Sequence, residues 1–285
     1  MLNDKKGNTT VLKGVEVARA INEEIAEEMK GWRKALPHLA IIRVGENPDD
    51  IAYERGAIKK MDKVGFLVSS YIYKEEISNE EFLKEFDRIN KDETVDGILL
   101  LRPLPKHIDE KEVERRIDPK KDIDGISPYN MAKVYAGEKD GFAPCTAEAV
   151  LEMLDFAGID LTGRRVTVIG RSLVIGKPVA QLLIGRNATV TVCHTRTKNI
   201  KDRCREAEVL VAAAGSAKMV KPDFVSDGAV VIDVGINVDA DGNLCGDVDF
   251  DSVAEHTSLI TPVPGGVGSV TTSVLAKHVL RASMR

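Results

Sequence analysis

The chain has 285 residues, of which 43% are apolar and 30% charged, and its formal net charge is -5. That balance describes a globular chain long enough for two domains and excludes a disordered or fibrous one. The acidic excess argues against a general nucleic-acid or membrane-surface partner, since either requires a basic face.

The opening "MLNDKKGNTT" is polar and lacks the apolar core of a signal peptide. No apolar run reaches the roughly 18 residues that cross a bilayer, so a cytoplasmic protein is expected. From Lys13 to Leu36 apolar positions recur at three- and four-residue steps and predict a helix; Leu39 to Gly45 reads as a short buried strand. The alternation continues with a helix near Ile51 to Lys63, a strand over Phe66 to Tyr73, a helix over Ser78 to Asn90 and a strand over Gly97 to Leu101. This βαβ rhythm implies parallel pairing.

Between Ile117 and Cys145 the periodicity fails. "IDPKKDIDGISPYN" is dense in turn-forming residues, and a domain junction is expected nearby. A helix from Thr146 leads into a second βα series, with strands at Arg165–Ile169, Ala188–Cys193, Val209–Ala213 and Ala229–Val234, the better Rossmann candidate. A last helix, about Thr271 to Ala282, follows the Gly/Pro segment "TPVPGGVGSV". Cys145, Cys193, Cys204 and Cys245 show no CxxC spacing, so reduced thiols and no metal site are expected.

In "RRVTVIGRSLVIGKPVAQLL" a β-rich run ends at Gly170 and a helix begins near Ile175, the strand-turn-helix context in which backbone N–H groups face an anion. The glycine spacing is not GxGxxG, so a turn at Gly170 with close packing at Gly176 fits equally well. A Rossmann site for NAD usually carries a carboxylate at the end of the next strand. Here that strand ends "TVCHTRT". Arg171, Thr195 and Arg196 instead suit a 2′-phosphate and favour NADP over NAD. The alternative for Arg196 is a cation that only solvates its loop, and His194 fits a structural role equally well. "VIDVGIN" and "TPVPGGVGSVTT" place glycine turns where backbone can approach a flat ring, although ordinary loop chemistry explains each alone.

In order along the chain, "VGENPDDIAY", "DGILLLRPLPKHID", "PKKDIDGISPYN", "PCTAEAVLEML", "VIGRSLVIGKP", "ATVTVCHTRT", "GAVVIDVGIN" and "TPVPGGVGSVTT" resemble the methylenetetrahydrofolate dehydrogenase/cyclohydrolase family, FolD in bacteria. The resemblance implies an α/β fold of two domains with a cleft between them. The N-terminal αβ folate-binding domain would span 1–145, with the C-terminal helix 270–285 packing back on it. The Rossmann-type NAD(P)-binding domain would span 146–269. It further implies a tetrahydrofolate substrate and a homodimer. Tyr53 matches the family's active-site tyrosine and Asp124 the aspartate that anchors the pterin. Gly170, Arg171, Ser172, Thr195 and Ile236 match cofactor positions; Pro264, Gly265, Gly266 and Val267 match the loop beside the substrate.

Two departures bear on activity. The family pattern Y-V-x-x-K puts its catalytic lysine at position 57, where this chain has Ala57. Its Gln before Leu-Pro-Leu-Pro falls at Leu101, followed here by Arg102. The dehydrogenase step moves a hydride and asks no proton of the protein; the cyclohydrolase step needs proton transfer, which Ala57 cannot perform. The expectation is a dehydrogenase with cyclohydrolase activity lost or weak. The alternatives are a bifunctional enzyme rescued by Lys60 or Arg102, and a non-catalytic binding protein. Residues 53, 57 and 60 share a helical face, so Lys60 either reaches the empty place or solvates the helix end. Ser269, at the position of a family proline, is expected to cap the helix that follows.

Overall fold

The computed structural model describes residues 4–285. In chain order the elements are β1 (Lys5–Lys6), β2 (Thr9–Val11), α1 (Gly14–Glu28), β3 (His38–Val44), α2 (Pro48–Val64), β4 (Leu67–Tyr73), α3 (Asn79–Asn90) and β5 (Gly97–Leu100). Then come α4 (Glu110–Arg116), α5 (Pro128–Ala136), α6 (Cys145–Phe156), β6 (Arg165–Ile169), α7 (Gly176–Ile184), β7 (Thr189–Cys193), α8 (Ile200–Arg205) and β8 (Val209–Ala212). The series closes with β9 (Ala229–Asp233), β10 (Asn237–Val238), β11 (Leu244–Cys245), α9 (Phe250–Val253), β12 (Thr257–Ile260) and α10 (Thr271–Ser283). No helix among the described residues is long and apolar enough to cross a membrane.

The chain divides into two compact units, one of Met1–Arg19 with Thr146–Thr271, the other of Ala20–Cys145 with Thr272–Arg285. The first holds a seven-stranded sheet, counted among the described residues, in the order β1-β2-β12-β9-β8-β6-β7. Every neighbouring pair is parallel except β1 with β2. Parallel strands need crossovers, and burial on both faces selects near-continuous apolar runs such as "VLVA" and "AVVID". Taking β6 as first, the order β7-β6-β8-β9-β12 is second, first, third, fourth, fifth. The direction of winding therefore reverses between β6 and β8, and ligands of open α/β sheets bind beyond the strand carboxyl ends at such a point.

Residues 4–19 belong to this unit, which a single domain over 1–145 does not anticipate. β2 pairs with β12, Thr10 opposite Leu259, and the Thr9 hydroxyl donates to the carbonyls of Ala254 and Thr257 (2.7 Å for the latter). A three-residue strand carries too little periodicity to be read from sequence.

The second unit is built on a parallel sheet of order β4-β3-β5. Phe82, Phe86 and Ile89 of α3 bury against Ile98, Leu100, Val113 and Ile117. Its helices start and stop where local chemistry dictates. Asn47 accepts from the Asp49 amide, Pro48 opens α2, and Gly65 ends it at φ 78°. Ser78 and Glu81 form a capping box on α3. α10 joins this unit through Lys277 Nζ to Glu24 Oε2 (3.0 Å) and Arg281 Nη2 to the Gly141 carbonyl (2.5 Å). The region without periodicity contains α5, which Ser127 caps, Pro128 opens and Gly137 terminates.

Candidate active site

At the winding reversal, Gly170 sits at φ 128°, and a Cβ there would overlap the Ala213 carbonyl. A Cβ on Gly176 would overlap Gly170 itself. Both glycines are therefore required by close backbone approach, and the turn after β6 is stacked on the turn after β8. Ser172 Oγ accepts from the amides of Ile175 (3.1 Å) and Gly176 (3.4 Å). Those two helix-start amides thus bond Ser172. A serine hydroxyl has two lone pairs and one O–H, so with both lone pairs used the exposed Ser172 keeps a proton available to donate.

The turn after β7 is braced from within. Thr197 Oγ1 accepts from His194 N (2.8 Å), and His194 Nδ1 accepts from Arg196 N (3.1 Å), which gives His194 a structural role. Thr195, Arg196 and Arg171 are exposed, and no carboxylate lies in Cys193–Thr197. A tight glycine turn, an exposed hydroxyl and exposed guanidinium groups fit a dinucleotide carrying a 2′-phosphate.

The Gly/Pro loop ahead of α10 runs through a cis Val263–Pro264 bond to Gly265 at φ 95°. Pro264 and Gly265 are exposed, whereas Gly266 and Val267 are buried. Gly14 N donates to Gly265 O (2.8 Å), and a Cβ at Gly14 would overlap Gly266 O, so the loop lies directly on the start of α1. Ser269 Oγ donates to Gly266 O (2.9 Å) and closes the turn; it does not cap α10, contrary to expectation, because that helix begins two residues later. Ile236 is 67% exposed and its side chain neighbours Gly268.

In the other unit, Tyr53 is partly buried on α2. The helix buries Glu54, Ala57 and Met61 as one stripe, so position 57, where the resemblance led to the expectation of a lysine, is a fully enclosed methyl group. Leu101 is buried too. Lys60 is not a solvated helix-end cation: Nζ donates to Ser273 Oγ (2.7 Å) and Asn22 Oδ1 (3.2 Å). Burial and then the Lys63 charge push its pKa down. Arg102, half-buried, faces Glu114 (3.2 Å) and Glu110 (3.5 Å).

Asp124 Oδ1 accepts from Cys145 N (2.9 Å), and burial pushes its carboxyl above the usual aspartate range, opposed by the Cys145 hydrogen bond and the Arg102 charge. The loop that carries it is fixed by Asp122, which accepts from the amides of Ile126 (2.9 Å) and Ser127 (2.8 Å). His278 Nδ1 bonds the Ile123 carbonyl (2.7 Å) from α10. Sequence reasoning missed His278 as well as two buried carboxylates of the nucleotide unit, Asp233 and Asp247. The available signal for these was an acidic residue inside an apolar run, "VIDVG" and "CGDVDF", which seldom survives burial without partners.

A doubly wound parallel sheet with a glycine-tight turn at its winding reversal and exposed cations around it defines a dinucleotide-binding α/β protein. The second unit adds a buried-carboxyl loop and a tyrosine helix. Residues 12–124 match the model of the tetrahydrofolate dehydrogenase/cyclohydrolase catalytic domain, and residues 144–285 match that of the NAD(P)-binding domain. The chain belongs to the tetrahydrofolate dehydrogenase/cyclohydrolase family. Bifunctional protein FolD of Clostridioides difficile (strain 630) is 53% identical over 274 residues, covering 95% of this chain and 96% of that one. The crystal structure of FolD from Campylobacter jejuni aligns with TM-score 0.92 at 37% identity over 97% of this chain and 99% of that one. That of Trypanosoma brucei FolD, complexed with NADP cofactor and inhibitor, aligns with TM-score 0.90 at 37% identity over the same shares, 97% and 99%.

Proposed function

We propose that the protein is an NADP-dependent methylenetetrahydrofolate dehydrogenase whose cyclohydrolase step is lost or greatly weakened. Bound NADP supplies the hydride acceptor, C4 of its nicotinamide. Oxidation removes a hydride from the bridge carbon of 5,10-methylenetetrahydrofolate, and a folate nitrogen lone pair turns that carbon into an amidinium. No proton has to leave through the protein, so the work of the side chains is orientation. Asp124 anchors the pterin through a carboxyl held by the Cys145 amide. Tyr53 shapes the same pocket. Ser172, Arg171, Thr195 and Arg196 hold the phosphates, and Pro264–Val267 line the substrate loop.

The cyclohydrolase step adds water to the amidinium carbon and opens the ring, which needs a group that takes and gives protons. What supports its loss is Ala57, a buried methyl where that group belongs, together with the burial of Leu101. The two candidate replacements are engaged elsewhere. Lys60 commits two of its three donors to Ser273 and Asn22, and Arg102 faces two glutamates. One observation favours the bifunctional reading: the lowered pKa of Lys60 is the property a general base requires.

The experiment is a pair of assays on purified protein, NADP-linked oxidation of methylenetetrahydrofolate and hydrolysis of methenyltetrahydrofolate. The expected result is hydride transfer, faster with NADP than with NAD at equal concentration, with methenyl product accumulating. Hydrolysis well above the uncatalysed rate, abolished in Lys60→Ala, establishes the bifunctional reading instead; absence of hydride transfer defeats both. A homodimer is part of the proposal. It is supported by the open edge strand β4, which exposes Leu67 (49%) and Ile72 (57%), and is tested by sedimentation.

A further inference from the structure

We propose that Asp247 is a positioning residue for the dinucleotide, holding the turn after β8 and the turn after β9 in one preformed geometry; this rests on the cofactor reading above. Asp247 is fully buried. Its Oδ2 accepts from the amides of Ala214 (2.5 Å) and Gly215 (3.1 Å), and its Oδ1 from the amide of Ser216 (2.7 Å) and from Asn237 Nδ2 (2.9 Å).

Successive backbone N–H groups converging on one point form an anion-binding concavity. In this turn the concavity is filled by the protein's own carboxylate, so the turn is ordered before any ligand arrives. The turn it orders lies at the carboxyl end of β8, against Gly170 across the winding reversal. The fourth donor, Asn237, follows the exposed Ile236. One carboxylate thereby couples two of the segments that border the nucleotide.

Asp247 is itself anchored. Its amide donates to Asp233 Oδ1 (3.0 Å), which also accepts from Gly235 (3.0 Å), while Asp233 Oδ2 accepts from Val248 (2.9 Å). The packing leaves no slack: a Cβ on Gly235 would overlap the Asp247 carboxyl, and a Cβ on Gly246 would overlap that of Asp233. Loosening this assembly makes the ligand order the turns on binding, which weakens affinity for the dinucleotide and leaves folate recognition alone.

Two variants test this, with NADP dissociation constants from calorimetry and KM values for NADP and folate. Asp247→Asn replaces one acceptor oxygen by an amide that faces N–H donors. Asn237→Ala deletes only the link to the second turn and keeps the fold. The expected result is a rise in Kd and KM for NADP of roughly three- to tenfold in Asn237→Ala and about tenfold or more in Asp247→Asn. The folate KM stays unchanged. If Asp247→Asn does not fold, Asn237→Ala decides. Wild type that binds NADP alongside a folded variant with unaltered affinity, or an equal loss for folate, overturns the positioning role; wild type that binds no NADP overturns the cofactor reading and this inference together.

Discussion

Introducing the pair that the resemblance implies, Ala57→Lys with Leu101→Gln, tests the proposed chemistry directly. Ala57 is fully buried between Glu54 and Met61 on α2, and Glu54 is already paired with Arg43 at 2.8 Å. A new ammonium therefore loses hydration without gaining that carboxylate, and such burial lowers a lysine by roughly two to four pKa units. At about 1.4 kcal/mol per unit the charge costs on the order of 3–5 kcal/mol at pH 7, with about 1–3 kcal/mol more for added volume.

The sign of the pH dependence follows. With the folded pKa below the unfolded one, the unfolded chain binds more protons at neutral pH, so the deficit in melting temperature shrinks as pH rises toward 10. The same depression brings the amine into the range of a general base, and its lean toward the helix N-terminus carries it back over the Tyr53 turn. Acid–base catalysis typically contributes about 10²- to 10⁴-fold, so a gain of at least about 10² in methenyl hydrolysis is expected, with the dehydrogenase rate retained. Both rates are read in one preparation by absorbance. A parent that hydrolyses as fast as the variant, or a folded variant with full dehydrogenase activity that gains nothing, refutes a proton-transfer role for a lysine at position 57.

Gly170→Ala forces a side chain into a positive-φ turn and onto the Ala213 carbonyl, so it raises the KM for NADP at least tenfold; an unchanged KM would place the dinucleotide elsewhere. Glu54→Gln removes the buried carboxylate that pairs with Arg43 and leaves the guanidinium only its Gly45 carbonyl and the nearby Asp50 charge, so a loss of about 3 kcal/mol is expected in denaturant titration. Burial raises the Asp233 pKa to about 6 despite its backbone hydrogen bonds. Because the folded value lies above the unfolded one, its protonation stabilises the fold below about pH 4, and that contribution is lost as pH rises through about 6. A carboxyl carbon titrating near 6 by NMR checks this, and a midpoint near 4 contradicts it.

Caps and periods decided much of the architecture. Asn47, Pro48 and Gly65 bound α2, Ser78 and Glu81 open α3, and β6 lies where its apolar run does, because these signals act within a turn or two of chain. α5 shows the limit of such reading. Its Ser127, Pro128 and Gly137 looked like loop chemistry because capping and turn-forming residues are the same types, and only the conformation between them tells the two apart.

By itself, the sequence determined the alternating α/β plan, the family, and the absence of a lysine at position 57. Those are properties of residue identity and local spacing. The tertiary structure decided what each polar group does with its partners: Lys60 drawn to Asn22 and Ser273, Ser172 taking the helix-start amides, residues 4–19 joined to the nucleotide sheet. It also decided that Asp247 fills a nest of amides more than 30 residues away in the chain. Hydrogen bonds and desolvation depend on which groups meet in space, and groups distant in sequence carry no local mark of their meeting.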